Sequence, residues 1–355
     1  MDGIILINKE KEWTSHDVVA KVKKMLNVKV GHTGTLDPNA TGVLPLLLGN
    51  ATKISKYLIN HDKEYVAELK LGIKTDTADG EGNIIEEKYI NLQEKFLEGK
   101  KLSKTDEESL KNSLIKSEKE MPSKSWTKRG WAMSNKSLTN NKEITSNENK
   151  KIKEELQKIL NTFVGKSLQT PPMYSAIKVN GKKLYEYARE NKEINIKPRE
   201  IEIYNIKLLN IDLKENIITF KVSCSKGTYI RTLCENIAEK LDTCGYMKEL
   251  QRTQVGDFRI EDSITINQLE EKIRSKEILN SLNSNDDRSN CFITIEQLFS
   301  NCNEIRLNAE QVNKFLNGVK INNSKLDGIY RIYSENNFIG LGINKEKKLK
   351  RDVII

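Results

Sequence analysis

The strongest constraint on how this chain can fold is a long stretch with few apolar residues. Only 14 of the 60 residues from 91 to 150 are apolar, and Lys, Glu, Ser and Asn dominate there. That share is too small to build a hydrophobic core. The chain before residue 91 and after about residue 152 carries helical and alternating apolar patterns instead. We therefore expect ordered structure on both sides and, for residues 93–150, a solvated or partly helical surface insertion.

Two tryptophans inside this stretch leave a second interpretation open. Trp126 and Trp131 stand beside Lys124, Lys128 and Arg129, and interleaved aromatic and basic side chains are typical of RNA contacts. The stretch nevertheless lies between strand-like segments and away in sequence from every candidate site motif. We expect a peripheral insertion, so that deleting residues 95–148 should leave the chemistry largely intact.

The flanking segments mix strands with helices, which favours an α/β fold. Candidate strands are residues 3–8, 43–48, 65–71 and two runs within 200–224, and candidate helices are 14–26, 51–59 and 152–163. Ser15 is the expected cap of the first helix, and Gly165 the expected end of the third. After about residue 302, short strands with turn signals such as Asp327-Gly328 predict a small β-rich module.

Length and charge bound the possible partners. A chain of 355 residues is long enough for about two domains. Its 59 Lys and Arg outnumber 50 Asp and Glu, which gives a net charge of +9 and favours an anionic partner. We find no run of about 18 apolar residues and no basic start followed by a long apolar stretch, so we expect neither a spanning helix nor a signal peptide.

Cysteine and histidine usage favours an intracellular protein without a metal site. The five cysteines are odd in number and widely spaced, with no C-x-x-C pair, and the three histidines do not cluster with them. We expect reduced thiols, no metal and a cytoplasmic location.

A glycine-rich loop, Gly31 to Gly42, is the most informative segment for function. It carries one imidazole, His32, and one carboxylate, Asp37, where glycines permit close approach of a ligand. Asp37 precedes Pro38, so it could instead cap a helix, although Gly42 would end such a helix almost at once. The loop lacks the spacing of a nucleotide-binding P-loop. From spacing alone, Asp37 is a candidate catalytic residue.

A second segment, Cys224 to Leu233, predicts a strand, a turn at Lys226-Gly227 and a helix that Thr228 could cap. Arg231 then falls in the first helical turn, where the helix dipole disfavours a cation. Either Arg231 is a solvated surface residue or a carboxylate or another anion compensates it.

Tyrosines supply further candidates with two interpretations each. Tyr65 begins the buried face of its strand, so it is either a core aromatic or a platform beneath a planar base. Residues 170–178 and 181–189 interleave Tyr with Lys and Arg. They suit either an RNA-facing surface or a strand and hairpin that lead to a helix, with the tyrosines used for packing.

These residues resemble the bacterial tRNA pseudouridine-55 synthases of the TruB type. The matching stretches occur in family order and cover most of residues 1–90 and 150–270: Thr14 to Asp17, Gly31 to Gly42, Lys63 to Tyr65, Gln169 to Lys178 with Gly181 to Arg189, Ser225 to Leu233, and Leu250 to Thr253. The G-H-T-G-T-L-D-P-x-A-T-G loop is the most specific of them.

The resemblance implies isomerisation of one uridine in the T loop of tRNA to pseudouridine, without a cofactor or metal. It implies a mixed α/β catalytic domain over residues 1–285 around a largely antiparallel central sheet, interrupted by the insertion at about 93–150. A PUA-like RNA-binding module would follow at 290–355. The expected partner is the T arm of tRNA, with no membrane and no obligate protein partner, and the expected state is a monomer.

Roles for individual residues follow from the same resemblance. Asp37 matches the catalytic aspartate, Tyr65 the tyrosine that stacks on the target uracil, and Arg231 the arginine that pairs with the aspartate and would keep it ionised. Both partners should therefore lie within roughly 10 Å of the carboxylate.

The resemblance also implies a set of substrate-binding residues. His32 matches a histidine that holds the T-loop bases unstacked, Leu250 an apolar residue near the base, and Tyr229 lines the pocket. Thr35 and Lys226, in the same two motifs, are expected to contact the substrate. A flipped nucleotide costs a few kcal/mol, which stacking on Tyr65 and contacts from His32 could offset, and binding should weaken as salt rises.

One motif departs from the family, and two other functions stay open. The family usually has Lys-Pro-x-Gly before Thr-Ser-His-Asp, where this chain has Lys9-Glu10-Lys11-Glu12-Trp13; we expect a less rigid loop and no lost catalytic position. The chain could instead be an RNA-binding or tRNA-folding module with secondary or lost catalysis, or a relative of the small-RNA-guided rRNA synthases.

Overall fold

The structure is a computed structural model that describes residues 1–98, 145–175, 177–190, 192, 194–275 and 291–355. Trp126 and Trp131, which were interpreted as possible RNA contacts, lie outside the described residues. Most of the segment 95–148, whose deletion is expected to leave the chemistry largely intact, lies outside them as well.

The regular elements of the described residues run in the following order. The strands are β1 (Gly3–Lys9), β2 (Val30–His32), β3 (Thr41–Leu48), β4 (Lys63–Leu71), β5 (Ile73–Thr75), β6 (Ile84–Glu87), β7 (Gly165–Gln169), β8 (Lys178–Val179), β9 (Lys182–Lys183), β10 (Arg199–Asp212), β11 (Ile217–Cys224), β12 (Gly245–Val255), β13 (Phe258–Arg259), β14 (Phe292–Thr294), β15 (Glu304–Leu307), β16 (Ile321–Asn322), β17 (Gly328–Ser334), β18 (Asn337–Lys345) and β19 (Lys348–Ile354). The helices are α1 (Ser15–Leu26), α2 (Ser55–Leu58), α3 (Ser146–Asn161), α4 (Leu184–Arg189), α5 (Ile230–Lys240), α6 (Ile266–Arg274), α7 (Ile295–Leu298) and α8 (Ala309–Leu316), with 3-10 turns at Gly49–Ile54 and Ile260–Asp262 and a π turn at Glu94–Glu98.

A large mixed sheet forms the centre of the molecule. Its strands lie in the order β14-β1-β3-β12-β4-β11-β10-β7, with β2 beside β3 and β13 beside β12. Every pair is antiparallel except β3 with β12, which run parallel. The fold predicted from the sequence, α/β around a largely antiparallel central sheet, is confirmed.

The alternating patterns in the sequence correspond to the buried face of this sheet. In β4, Tyr65, Ala67 and Leu69 are buried on the face that the sequence predicted. Helix α5 covers part of that face with Ile230, Leu233 and Ile237 and, with α3, builds the main hydrophobic core. The candidate residues Tyr65 and Leu250 therefore lie on interior strands of this sheet, β4 and β12.

A smaller sheet follows, as the turn-rich C-terminal sequence predicted. It has the order β15-β17-β18-β19-β16. Leu341 and Val353 of this sheet pack in one apolar cluster with Ile4, Leu6 and other residues of the large sheet. Strand β14, at residues 292–294, pairs with β1 of the large sheet.

Three local predictions are wrong. Thr14, not Ser15, caps α1, because Thr14 and Asp17 bond reciprocally in a capping box. Gly165 does not end α3, which stops at Asn161; it opens β7 instead. The predicted helix 51–59 is a 3-10 turn, Gly49–Ile54, followed by a single turn of α2.

The two described ends of the polar stretch pack on the protein. Phe96 and Leu97 lie against the main core, and Lys95 forms an ion pair with Asp242 at 2.8 Å. At the other end Thr145 caps α3 in a capping box. The insertion predicted at 93–150 therefore includes structured residues at both of its limits.

Candidate active site

The glycine-rich loop connects β2 to β3 at the edge of the core. Asp37 lies in its irregular part, followed by a turn at Pro38 and Asn39, so the helix-cap interpretation is wrong. The Asp37 side chain is 40% exposed. It can therefore meet a ligand, while its neighbour Leu36 is buried in the core.

Arg231 reaches this carboxylate from the first turn of α5. Its Nη2 lies 3.3 Å from the Asp37 carboxylate, although the two residues are far apart in sequence. The same guanidinium donates to the backbone carbonyls of Thr77 and Tyr174, at 3.2 and 2.8 Å. Arg231 is only 6% exposed, so the interpretation as a solvated surface residue is wrong.

A second carboxylate, which the sequence analysis missed, faces the same arginine. Asp79 Oδ2 lies 3.2 Å from Arg231 Nη1. Its other oxygen accepts hydrogen bonds from the Thr77 hydroxyl and from the Glu81 amide. Burial, together with Asp79 and Asp37, raises the pKa of Glu81. The guanidinium is thus held between two carboxylates in a fixed orientation.

Tyr65 occupies the sheet beneath this loop. It lies in β4, opposite Val222 of β11 and Arg252 of β12, and is 8% exposed. Burial raises the pKa of its phenol to about 12, so the group is protonated at neutral pH. Tyr65 belongs to the hydrophobic core, and its phenol and the Asp37 carboxylate are near enough to interact electrostatically.

Arg252 is a further residue that the sequence analysis did not single out. It is 1% exposed and donates to the carbonyls of Val43, Thr35 and Gly34, at 2.9, 3.4 and 3.3 Å. Burial lowers its pKa, while interaction with Tyr65 raises it. A guanidinium remains charged in proteins, so a buried cation supports the loop that carries Asp37.

Lys9, at the end of β1, holds the same loop from the other side. Its Nζ donates to the carbonyls of Glu10, Trp13 and Pro38, at 2.9, 2.7 and 2.9 Å. Burial lowers its pKa to about 8, and the nearby Asp37 opposes that shift. The segment that departs from the family pattern is therefore tied to the residue that follows Asp37.

The other residues of the loop are placed around this centre. His32, in β2, contacts His16 ring edge to face, with centroids 5.4 Å apart. Burial lowers the His32 pKa and favours a neutral imidazole. Its Nδ1 is buried, and the described residues offer it no hydrogen-bond partner. The Thr35 side chain is exposed, whereas its carbonyl accepts from Arg252.

Tyr229 lies directly before α5, where Thr228 was expected to cap the helix. That expectation is wrong: the N-cap residue is Tyr229, without a side-chain cap, and the Thr228 hydroxyl donates to the Ser225 carbonyl. The Gln169 carboxamide instead bonds both backbone groups of Tyr229. Burial raises the pKa of the Tyr229 phenol.

Leu250 and Lys226 lie at different depths. Leu250, in β12 opposite Ala67, is 8% exposed and belongs to the main core. Lys226 is exposed and donates to the Asn60 side chain at 2.6 Å.

The basic and aromatic segment after residue 177 forms a small hairpin, β8 and β9, followed by α4. Within it, Lys182 lies 5.0 Å from the ring centroid of Tyr187, and Lys183 and Arg189 lie 5.2 and 5.4 Å from that of Tyr185. The interpretation as a hairpin that leads to a helix, with tyrosines packed locally, is confirmed, and an RNA-facing surface stays a prediction.

The arrangement offers one accessible carboxylate, oriented by a buried arginine, beside a protonated phenol and buried cations. The carboxylate can attack a cationic carbon or stabilise its charge, and the phenol ring can lie under a planar ring of a ligand. Across the described ranges, no group of three or more His, Cys, Asp or Glu side chains could hold a metal ion, and no helix there is long and apolar enough to cross a membrane.

Family models match most of the chain. The N-terminal domain of the TruB family of pseudouridylate synthases matches residues 22–105 and 124–230. The C-terminal domain of tRNA pseudouridylate synthase B matches residues 231–283. A model described as pseudouridine synthase II TruB, C-terminal, matches residues 303–350.

Curated relatives align with this chain over nearly their full length. The tRNA pseudouridine synthase B of Clostridium kluyveri is 38% identical over 358 aligned residues, which cover 99% of this chain and 98% of the relative. The protein of the same name from Clostridium tetani is 35% identical, with the same coverage.

Solved structures share the fold. A Cbf5–Nop10–Gar1 complex contains a chain that matches 99% of this one, with a TM-score of 0.57 and 21% identity, over 83% of its own length. A structure of an H/ACA RNP bound to a substrate RNA containing 2′-deoxyuridine gives a TM-score of 0.56 at 20% identity, with 99% of this chain and 83% of that chain covered. At these identities the likeness concerns the fold.

Proposed function

This chain belongs to the TruB family of pseudouridylate synthases, and from that premise we propose that it isomerises uridine 55 in the T loop of tRNA to pseudouridine. The activity itself, isomerisation of a tRNA uridine, accompanies relatives at 35–38% identity over nearly the full chain. The net charge of +9 suits a polyanionic substrate.

One observation carries the proposed mechanism: a half-exposed carboxylate, Asp37, is held 3.3 Å from a buried arginine, Arg231. In the reaction the N1–C1′ bond breaks, uracil turns, and C5 bonds to C1′. The C5 proton is lost and N1 regains one, so no redox cofactor is needed. Asp37 acts on C1′ as a nucleophile or as an electrostatic stabiliser of the cationic sugar.

Access to the target requires that the nucleotide leave its stack in the T loop. Tyr65 stacks on the extruded uracil, and His32 contacts the T loop that the base has left. Because the Tyr65 phenol is protonated at neutral pH, it serves as a stacking platform and a hydrogen-bonding group. It does not serve as a general base in its resting state.

Surrounding residues complete the substrate site in this proposal. Leu250 and Tyr229 line the base pocket, and Thr35 and Lys226 contact the RNA. The catalytic domain spans residues 1–285 around the insertion at about 93–150, and a PUA-like RNA-binding module spans 290–355. The enzyme acts as a cytoplasmic monomer on the T arm, without a protein partner.

The test of this mechanism is Asp37→Asn. We expect loss of pseudouridine formation on an unmodified tRNA transcript, because the amide can neither attack C1′ nor stabilise its positive charge. The affinity for tRNA should stay within about threefold, since Asp37 is one contact among many. Substantial turnover in the folded variant would contradict the role of Asp37.

The target position and the alternative functions need a second measurement. Pseudouridine mapping in bulk tRNA from cells without this protein should show loss at position 55 alone. Activity on free transcript, without a guide RNA, would exclude a guided rRNA synthase. Binding without isomerisation would leave an RNA-binding module.

A further inference from the structure

We propose that Gln169 is a positioning residue, whose buried carboxamide fixes the backbone of Tyr229 and so holds Arg231 against Asp37. The inference rests on the proposed function only in so far as the Arg231–Asp37 pair is catalytic. The contacts that carry it are independent of substrate.

Gln169 makes two hydrogen bonds to a single residue. Its Oε1 accepts from the Tyr229 amide at 2.8 Å, and its Nε2 donates to the Tyr229 carbonyl at 3.0 Å. Gln169 is the last residue of β7 and is 6% exposed. Two hydrogen bonds from a buried side chain fix a peptide segment in position and in angle.

The junction before α5 needs such support. The helix begins at Ile230 without a side-chain cap, and Thr228, the neighbouring hydroxyl, is bonded to the Ser225 carbonyl instead. A cation in the first helical turn is disfavoured by the helix dipole, and Arg231 occupies that turn. External contacts must therefore hold the first turn in place.

The strand-to-hairpin segment supplies two of these contacts at once. Gln169 binds the Tyr229 backbone, and five residues later the Tyr174 carbonyl accepts from Arg231 Nη2 at 2.8 Å. The segment from 169 to 174 thus contacts the start of α5 at its backbone and at its functional side chain. A displacement of about 1 Å at such a group can cost on the order of 100-fold in rate.

A matched control lies elsewhere in the chain. Gln157, on α3, makes a comparable pair of backbone contacts to two residues of β10: its Nε2 donates to the Ile206 carbonyl at 3.0 Å, and its Oε1 accepts from the Leu208 amide at 2.8 Å. Its Nε2 also donates to the Asn161 side chain at 2.7 Å. Gln157 touches no residue of the candidate site among the described contacts. The control variant, Gln157→Met, therefore removes equivalent bonds without disturbing Arg231.

The kinetic experiment compares Gln169→Met with Gln157→Met in the full-length enzyme. We expect Gln169→Met to lower the single-turnover rate at least about 30-fold with tRNA affinity within threefold. Gln157→Met should change the rate less than about twofold. Equal effects of the two variants, or a parallel loss of affinity and rate in Gln169→Met, would overturn the proposal.

Amide hydrogen exchange tests the same claim without any activity. Gln169→Met should speed exchange of the amides at 229–233 at least about tenfold, whereas Gln157→Met should speed that of 206–208 instead. If the wild-type enzyme makes no pseudouridine, the proposed function fails while this readout still decides the positioning role. If Gln169→Met does not fold, Gln169→Glu replaces it, because glutamate keeps an oxygen that can accept from the Tyr229 amide. This variant is expected to show a single-turnover rate and an amide exchange rate between those of the wild type and those expected for Gln169→Met. Unchanged exchange at 229–233 would contradict the proposal.

Discussion

The candidate site is held by buried polar side chains that bond to backbone carbonyls. Lys9 donates to three carbonyls, Arg252 to three and Gln169 to one. Each is at most 6% exposed. Burying such groups costs free energy unless their hydrogen bonds are made. Three of these carbonyls, those of Gly34, Thr35 and Pro38, belong to the glycine-rich loop, and their hydrogen bonds to Arg252 and Lys9 restrict where Asp37 can lie.

At the residue scale, we predict that Asp79→Asn lowers the single-turnover rate by about 10- to 100-fold. Asparagine keeps the size but removes the charge, so Arg231 loses one of the two carboxylates that fix it. The control is Asp76→Asn in the same loop, where the carboxylate bonds Asn83 and not the arginine.

The test compares the single-turnover rates of Asp79→Asn and Asp76→Asn on the same transcript. Affinity for tRNA should remain within about threefold in both, because neither carboxylate is proposed to contact the RNA. A wild-type rate in Asp79→Asn, or an equal loss in Asp76→Asn, would show that the second carboxylate does not orient Arg231.

The sequence predicted Asp37 and Arg231 as candidate residues, but it did not predict the side chains that support them. Asp37 and Arg231 stand in long motifs that resemble those of the family. Asp79 stands in Asp76-Thr77-Ala78-Asp79-Gly80, which by itself indicates only a turn. Lys9 and Arg252 are buried by contacts with distant segments, and no local pattern distinguishes such cations from solvated ones.

At the element scale, strands were predicted better than the ends of helices. Alternation alone identified β4 and β11, because a sheet with one buried face requires it. Helix ends depend on which hydroxyl finds a partner. Thr14 caps α1 because Asp17 completes the capping box, while the Ser15 hydroxyl bonds the backbone of Leu36 across the loop.

The parallel contact between β3 and β12 leads to a prediction at this scale. Gly42 has φ +111°, and a Cβ there would lie 2.1 Å from the Arg252 carbonyl oxygen. We expect Gly42→Ala to destabilise the protein by more than about 2 kcal/mol, through backbone strain and a clash that no side chain can relieve.

A second glycine separates the two causes. Gly165 has φ +110°, but a Cβ there would meet no atom of the described residues within 4 Å, so Gly165→Ala should cost only the strain, about 1 kcal/mol. Denaturant unfolding of both variants measures the difference. Equal losses would mean that close packing of β3 on β12 adds nothing to the conformational cost.

At the scale of the whole molecule, the two sheets share one apolar cluster. Ile4 and Leu6 of β1 pack with Leu341 of β18 and Val353 of β19. These residues lie more than 330 positions apart, so no sequence pattern reports their contact. Residues 3–8 were predicted as a strand and the chain after about residue 302 as a β-rich module, but their common core follows only from the tertiary structure. A shared core couples the unfolding of the two sheets.

Asp352 provides one of the polar contacts across this boundary. Its carboxylate, with the side chain 9% exposed, pairs with Lys56 and accepts from the Tyr57 hydroxyl at 2.5 Å. We predict that Asp352→Ala destabilises the folded chain by about 1–3 kcal/mol, because the Tyr57 hydroxyl and the Lys56 ammonium lose their partner. Calorimetry should show one transition at a lower temperature, since the apolar cluster still joins the sheets.

The control variant is Glu310→Ala, which removes the exposed Glu310–Lys314 pair on α8. It should leave the temperature of the transition unchanged. A separate early transition in Asp352→Ala, with the main one unmoved, would show that the small sheet unfolds independently and that the shared cluster does not couple them.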